Sequence, residues 1–298
     1  MANLVSYVIT TFNSEDCIEG TLECLINQDY ENKEIIVVDD NSDDDTVEVA
    51  RRGGEERTTV ISLPRNFGHS GAVNIGFANA TGEFILLLDD DVTFEPAFTR
   101  KLLNRLREED DAAAVNPHNI NTGGDSPKYR GNRHDGEMML VYGNASLIDR
   151  EAVEDVGYFD ERFFIGFDDH EYGRRLVSHG YRIVKESDAV VYHANDPETD
   201  PSSPTRFFYN TRNQYWTFWK YYPLRDAVLF TARIFYKKLG VAAEEGYWWH
   251  FLKANLAALK GAATFAVRER NPSDNLSYRP WTLENIVESV KRELKELT

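Results

Sequence analysis

Three consecutive aspartates, Asp89, Asp90 and Asp91, end the apolar run in "GEFILLLDDDVTFEP". Carboxylates crowded at the end of a buried strand repel one another unless a cation neutralises them. Their hard oxygens suit Mg²⁺ or Mn²⁺, ions that commonly bridge protein and phosphate. A lone DxD is also common in solvated loops. What raises this one is its company: "ITTFN", "VDDNS" and "LDDDV" each close an apolar run with a polar cluster. In "EIIVVDDNSDDDT", Asp43, Asp44 and Asp45 suit a helix start, where carboxylates cap free amides and oppose the dipole. Asp39 and Asp40 keep two readings open: a strand-end carboxylate accepts the ring N–H of uracil, thymine or guanine, or it holds loop amides. A third acidic group, Asp168, Asp169 and Glu171 in "FDDHEYGRRL", reads as a first helical turn with Arg174 and Arg175 at helical spacing. No GxxxxGK[ST] loop occurs and no GxGxxG follows the first apolar run, so neither glycine-rich nucleotide motif is there to hold a phosphate.

Such residues need a scaffold that brings strand ends together. Residues 1–116 alternate strand-like runs ("LVSYVIT", "EIIVVDD", "TTVISL", "EFILLLDD", "AAAVN") with amphipathic stretches at 16–28, 44–52, 70–80 and 96–109. The pattern predicts an α/β fold, a mostly parallel sheet with helices on both faces, whose ligands sit at the carboxyl ends of the strands. Residues 119–137, "NINTGGDSPKYRGNRHDGE", are polar and glycine-rich and are expected to form a long loop able to close over a ligand. A helix over 149–156 and a strand at "AVVYHAN" follow. From about residue 205 aromatic-rich helical periodicity takes over and runs to a charged helix at 283–297. The division is therefore a domain at 1–204, in halves 1–116 and 117–204, and a helical C-terminal region at 205–298.

At 298 residues and 42% hydrophobic, the chain can bury a sizeable core. Fifty acidic residues against 33 basic ones give a net charge of −17, which repels nucleic acid, and no basic groove offsets it. Only 11 of the basic residues are lysine, a surface composition that suggests adaptation to high salt. No apolar run reaches the roughly 18–20 residues of a membrane span. The N-terminus lacks the features of a signal peptide, so the expected location is the cytoplasm, with contact at the inner face of the membrane left open. Cys17 and Cys24 lie about 10 Å apart along a helix, too far for a disulfide, and read as free thiols. Trp216, Trp219, Trp248 and Trp249 are expected mostly in the core, since aromatics at helical spacing usually are. Arg233, Lys237, Lys238, Lys253 and Lys260, among apolar residues, suit either a membrane surface or packing on the first domain or a second copy.

Over residues 3–222 the order and spacing of several motifs resemble family 2 inverting glycosyltransferases of the GT-A fold, in particular the rhamnosyltransferase-like and galactofuranosyltransferase-like branch. The motifs are "SYVITTFNSEDC", "VVDDNSDDDT", "RNFGHSGAVNIGFANATGEFILLLDDDV", "GNASLIDREAVEDVGYFDERFFIGFDDHEYGRRL" and "RNQYWTFWKYYP". The resemblance implies that Thr10 and Phe12 cradle a nucleotide base and Asp40 hydrogen-bonds it, favouring UDP or dTDP. It implies that Asn66, Gly68 and Asn74 mark the segment under the diphosphate, and that Asp90 faces ribose or diphosphate. Asp89 and Asp91, with His193 as a neutral imidazole ligand, would hold Mn²⁺ or Mg²⁺. Asp169 matches the carboxylate that takes the acceptor hydroxyl's proton, with Asp168 and Glu171 on the acceptor side.

The implied activity is metal-dependent, inverting transfer of a sugar from a nucleotide-diphosphate sugar to a saccharide or lipid-linked acceptor. "RNQYW" differs from the QxxRW of processive synthases, so processive synthesis is not expected. Two other readings stand beside this one. A nucleotidyltransferase shares such a sheet but usually needs a glycine- and lysine-rich first loop, which "ITTFNSEDC" is not. A non-catalytic sugar-binding protein of the same fold would be expected to have lost its acidic motifs.

Overall fold

The computed structural model describes residues 3–54, 57–122, 128–130, 138–194 and 203–271. Its first half alternates as the sequence pattern requires. In order come β1 (Val5–Thr11), α1 (Ile18–Ile26), β2 (Lys33–Asp39), α2 (Thr46–Gly53), β3 (Thr58–Ser62), α3 (Gly68–Asn79) and β4 (Phe84–Asp89). There follow β5 (Val92–Phe94), α4 (Phe98–Glu108), β6 (Ala112–Asn121), β7 (Lys128–Arg130), β8 (Ala145–Asp149), α5 (Arg150–Val156), α6 (Asp168–Ser178) and β9 (Arg182–His193). Three helices close the described chain: α7 (Pro204–Tyr221), α8 (Leu224–Glu245) and α9 (Trp248–Gly261).

The strands form one sheet in the order β3-β2-β1-β4-β8-β6-β9-β5, with β7 on β6. β3, β2, β1 and β4 pair in parallel, whereas β8 runs antiparallel to both β4 and β6. The sheet is therefore mixed, parallel on the N-terminal side. Alternate residues of each strand serve opposite faces. In β1, Tyr7 and Ile9 pack under α1 and α4 with Leu86 and Leu88 of β4. Val8 packs on the other face with Ile85 and Leu87, beneath α3, α5 and α6. Runs that read as uniformly apolar are thus buried on both sides, which is why they show no helical period.

Two expectations change. The polar stretch 119–137 is not loop throughout: β6 continues to Asn121 and pairs with β7 and, through Asn119 opposite Val191 and Asn121 opposite His193, with β9. Trp216 is 6% exposed, as expected of core, but Trp248 and Trp249 are 54% and 61% exposed. The charged helix at 283–297 lies outside the described residues. Cys17 and Cys24 form no disulfide with each other. No described helix is long and apolar enough to cross a membrane.

Candidate active site

The polar ends of β1, β2 and β4, the N-termini of α3 and α6, the end of β9 and one side of α7 and α8 enclose a cavity of about 1480 Å³. Thr10, Phe12, Asp40, Asn66, Gly68, Asp89, Asp90, Asp91, Asp168, Asp169 and His193 all line it. Strand-end residues as far apart in the chain as Thr10 and His193 meet there because the strands deliver these ends to one edge.

Asp89, Asp91 and His193 each offer a ligand atom, and the three lie within 4.8 Å of one another. His193 Nε2 stands 2.9 Å from Asp91 Oδ1 and 3.6 Å from Asp89 Oδ2. Strand pairing sets this. β5 runs antiparallel to β9 with Val92 opposite His193, and Ala194 N donates to Asp91 O at 2.9 Å. The turn before β5 is held by Thr21 Oγ1, which donates to Asp90 O at 2.7 Å and accepts from Val92 N. Burial raises the pKa of Asp91 and pushes that of Asp90 to about 7, against the pull of the Ser14 and Thr11 hydroxyls. Two carboxylates and an imidazole nitrogen, part-buried and converging, fit Mn²⁺ or Mg²⁺ by donor type.

His69, in the first turn of α3, connects this cluster to α6. Its Nδ1 is 2.6 Å from Asp168 Oδ2, which also accepts from Ser70 Oγ at 3.0 Å, and its Nε2 lies 4.0 Å from Asp89 Oδ1. Burial alone would lower the imidazole, but Asp168, then Asp89 and Asp169, raise its pKa to about 9. The three carboxylates therefore favour the charged form of the ring. Sequence reasoning passed over His69 because its partner lies 99 residues away. Its place beside Gly68 at the start of a helix under the expected diphosphate was the available signal.

Asp169 follows on α6. Its Oδ1 accepts from His170 N at 2.7 Å and lies 3.0 Å from His170 Nδ1. Burial would raise this carboxyl, but His170 and His69 bring its pKa down to about 2. The group is ionised and able to accept a proton from a hydroxyl that displaces His170. The chain enters α6 in an unusual conformation, with Phe164 and Phe167 at φ 66° and 65°. Bulky residues seldom adopt such angles, and they persist only where the surroundings impose them. The surroundings are visible: Asn213 Nδ2 meets the carbonyls of Phe163, Ile165 and Gly166 at 2.6–3.1 Å, and Arg212 Nη2 those of Arg162 and Phe163. The "RN" of α7 thus holds the segment that aims Asp169. Gly68 completes the fit, at φ 77°, where a Cβ would come within 2.5 Å of Phe164 O.

Three expected site residues take other work. Asn74 does not line the cavity: it donates to Phe159 O, accepts from Phe159 N and reaches Glu161, tying α3 to the segment before α6. Glu171 is fully buried and faces away from the cavity, bound to Arg175, Lys220 and Tyr221. Asp40 does line the cavity, but its two oxygens accept from Phe67 N and Gly68 N at 2.6 and 2.8 Å. Of the two uses left open for it, holding loop amides is seen, and the lone pairs that remain on both oxygens leave room for a base N–H as well. Among the described residues no tryptophan lines the cavity. Cavity residues the sequence did not single out include Asn210 and Gln214.

The Glycosyl transferase family 2 model matches residues 6–167. Among curated proteins, an uncharacterized glycosyltransferase of Haemophilus influenzae is 31% identical over 114 residues, 38% of this chain and 35% of its own length. The poly-beta-1,6-N-acetyl-D-glucosamine synthase of Staphylococcus aureus is 26% identical over 204 residues, 63% of this chain and 49% of its own. The chain thus spans about a third to a half of the length of these relatives. Among solved structures, the mannosyltransferase PcManGT from Pyrobaculum calidifontis, in complex with GDP-Man and Mn²⁺, superposes with a TM-score of 0.60 at 18% identity. That match covers 100% of this chain and 81% of the other, and establishes the GT-A fold.

Proposed function

Because the chain belongs to glycosyl transferase family 2, we propose that it transfers a sugar, with inversion, from a nucleoside-diphosphate sugar to an acceptor hydroxyl, using a divalent ion held by Asp89, Asp91 and His193. The observation that carries this is the span of His69, which touches Asp168 at the head of α6 and reaches within 4.0 Å of Asp89. One imidazolium thereby joins the metal-binding acids to the helix that presents Asp169. The mannosyltransferase of the same fold was solved with a nucleoside-diphosphate sugar and Mn²⁺, which supports the donor class. Bound there, Mn²⁺ or Mg²⁺ would neutralise charge growing on the departing diphosphate.

The chain's own residues account for the rest. Asp169, ionised, takes the proton of the acceptor hydroxyl as that oxygen attacks the anomeric carbon from the face opposite the leaving group. One displacement inverts the configuration and needs no covalent intermediate. His69, whose charged form Asp168 favours, stands at the diphosphate side, and Asp168 holds the ring in place. Thr10 and Phe12, the latter 42% exposed at the cavity rim, are positioned to receive the base. The test is kinetic: Asp169→Asn loses turnover and keeps the nucleoside diphosphate, whereas Asp91→Asn loses metal-dependent nucleotide binding. Normal turnover in Asp169→Asn would refute the base.

A second observation favours peripheral contact with an anionic lipid surface. Ten of the large apolar side chains exposed among the described residues fall between Leu224 and Val267, including Trp248, Trp249, Leu252, Leu256 and Leu259. Residues 224–268 carry seven lysines and arginines against three carboxylates, in a chain of net charge −17. Exposed apolar side chains and an excess of basic residues in the same helices are what an anionic membrane surface attracts.

A further inference from the structure

The two C-terminal helices that border the cavity bring cations to it and no carboxylate. Arg206, in the first turn of α7, and Lys238, on α8, line it beside Asn210 and Gln214. Among the described residues, every carboxylate that lines it comes from the strand ends or from α6. α8 packs on α7 and α9, so Lys238 enters from the helical wall, not from the strand ends that gather the acids. Among the described residues neither cation forms an ion pair. The Lys238 ammonium stands 5.3 Å from the centre of the Phe207 ring, and burial, with Lys237 nearby, pulls its pKa down to about 8. A desolvated ammonium with only an aromatic face beside it is an ion site lacking its counter-charge.

Size and charge both point to the acceptor. Ligand pockets typically measure about 300–1,000 Å³, and this cavity, at about 1480 Å³, has room for more than a donor. The donor's diphosphate is already provided for by Asp89, Asp91, His193 and His69. An acceptor with its own negative charge would be repelled by ionised Asp169 unless cations held that charge apart from the reacting hydroxyl.

We infer that Arg206 and Lys238 form a subsite for an anionic group, a phosphate or a carboxylate, carried by the acceptor whose hydroxyl meets Asp169. This rests on the donor reading above.

Calorimetric binding of methyl glucoside, methyl glucuronide, glucose 1-phosphate and inorganic phosphate tests it, each with and without Mn²⁺ and saturating nucleoside diphosphate. At least one anionic sugar binds about tenfold or more tightly than methyl glucoside, as expected for one charge-assisted contact. The glucuronide and phosphate arms tell carboxylate from phosphate. Lys238→Met and Arg206→Gln each remove the preference, Lys238→Arg keeps it, and nucleoside diphosphate affinity stays within about twofold of wild type. Equal binding of neutral and anionic sugars, or no binding of either anionic sugar, overturns the subsite. So does a loss of nucleoside diphosphate affinity in the variants, which assigns the cations to the donor. Should nucleoside diphosphate fail to bind wild type, the donor reading falls, while the nucleotide-free arm still reports the anion preference. Should Lys238→Met not fold, Arg206→Gln carries the comparison.

Discussion

His170 and His69 bring the pKa of Asp169 down to about 2, which favours the ionised form that the proposed base role requires. Replacing it with asparagine keeps the shape and removes the base. General-base assistance is worth about 10²–10⁴ in rate, so kcat of Asp169→Asn should fall by that factor with nucleoside diphosphate affinity unchanged. Rapid-quench turnover and calorimetry would check both halves. At this scale Asp89, Asp91 and His193 were legible because each ends an apolar run, where a polar residue has few structural excuses. Asn74 and Glu171 misled for the complementary reason: buried polar groups must find partners, and an asparagine that ties down Phe159 resembles one that binds a ligand. His69 and the amide bonds of Asp40 depend on contacts 27–99 residues away, which no local pattern records.

Between elements, the decisive join is α6 to α7. Glu171, fully buried, is bound by Arg175, Lys220 and Tyr221. Lys220 also lies 3.6 Å from Asp160. Removing one partner of a buried ion pair costs about 3–5 kcal/mol, so Lys220→Met should lower the unfolding free energy by that order in denaturant titrations. Asp160 gives the join a pH dependence. Burial would raise its pKa, but Arg162 and Lys220 outweigh it and the folded value lies below the ordinary one. Its stabilisation is complete above the unfolded carboxylate pKa of about 3.9 and is lost as pH falls through the lower folded value. Melting temperatures between pH 7 and pH 2 should therefore drop less steeply below pH 4 in Asp160→Asn than in wild type; identical slopes would remove Asp160 from the join. The parallel half of the sheet was legible from its alternation of runs. The antiparallel insertion of β8 and the pairing of Asn119–Asn121 with β9 were not, because register is decided between strands far apart in the chain.

For the molecule as a whole, charge is divided by region. The acidic surface suggests stability that rises with salt, so melting should be higher in molar KCl than in low salt, and equal or lower melting there would remove that reading. The basic, apolar face of α8 and α9 should carry the protein down with phosphatidylglycerol vesicles and not with phosphatidylcholine ones, and Trp248→Ser with Trp249→Ser should release it. Failure to sediment with either vesicle, or a concentration-dependent dimer lost in the same variants, would assign the face to protein contact. These helices were legible as helices from their periodicity, but not the exposure of Trp248 and Trp249, since a helical stripe of aromatics looks the same whether it meets core or solvent. Joining both halves is the site for the divalent ion, and its most direct measurement is nucleoside diphosphate binding followed across a Mn²⁺ titration in wild type, Asp91→Asn and His193→Ala. Binding that requires Mn²⁺ in wild type and is lost in both variants is the expected result. Mn²⁺-independent binding, or affinity unchanged in the variants, would contradict a catalytic metal held by Asp89, Asp91 and His193.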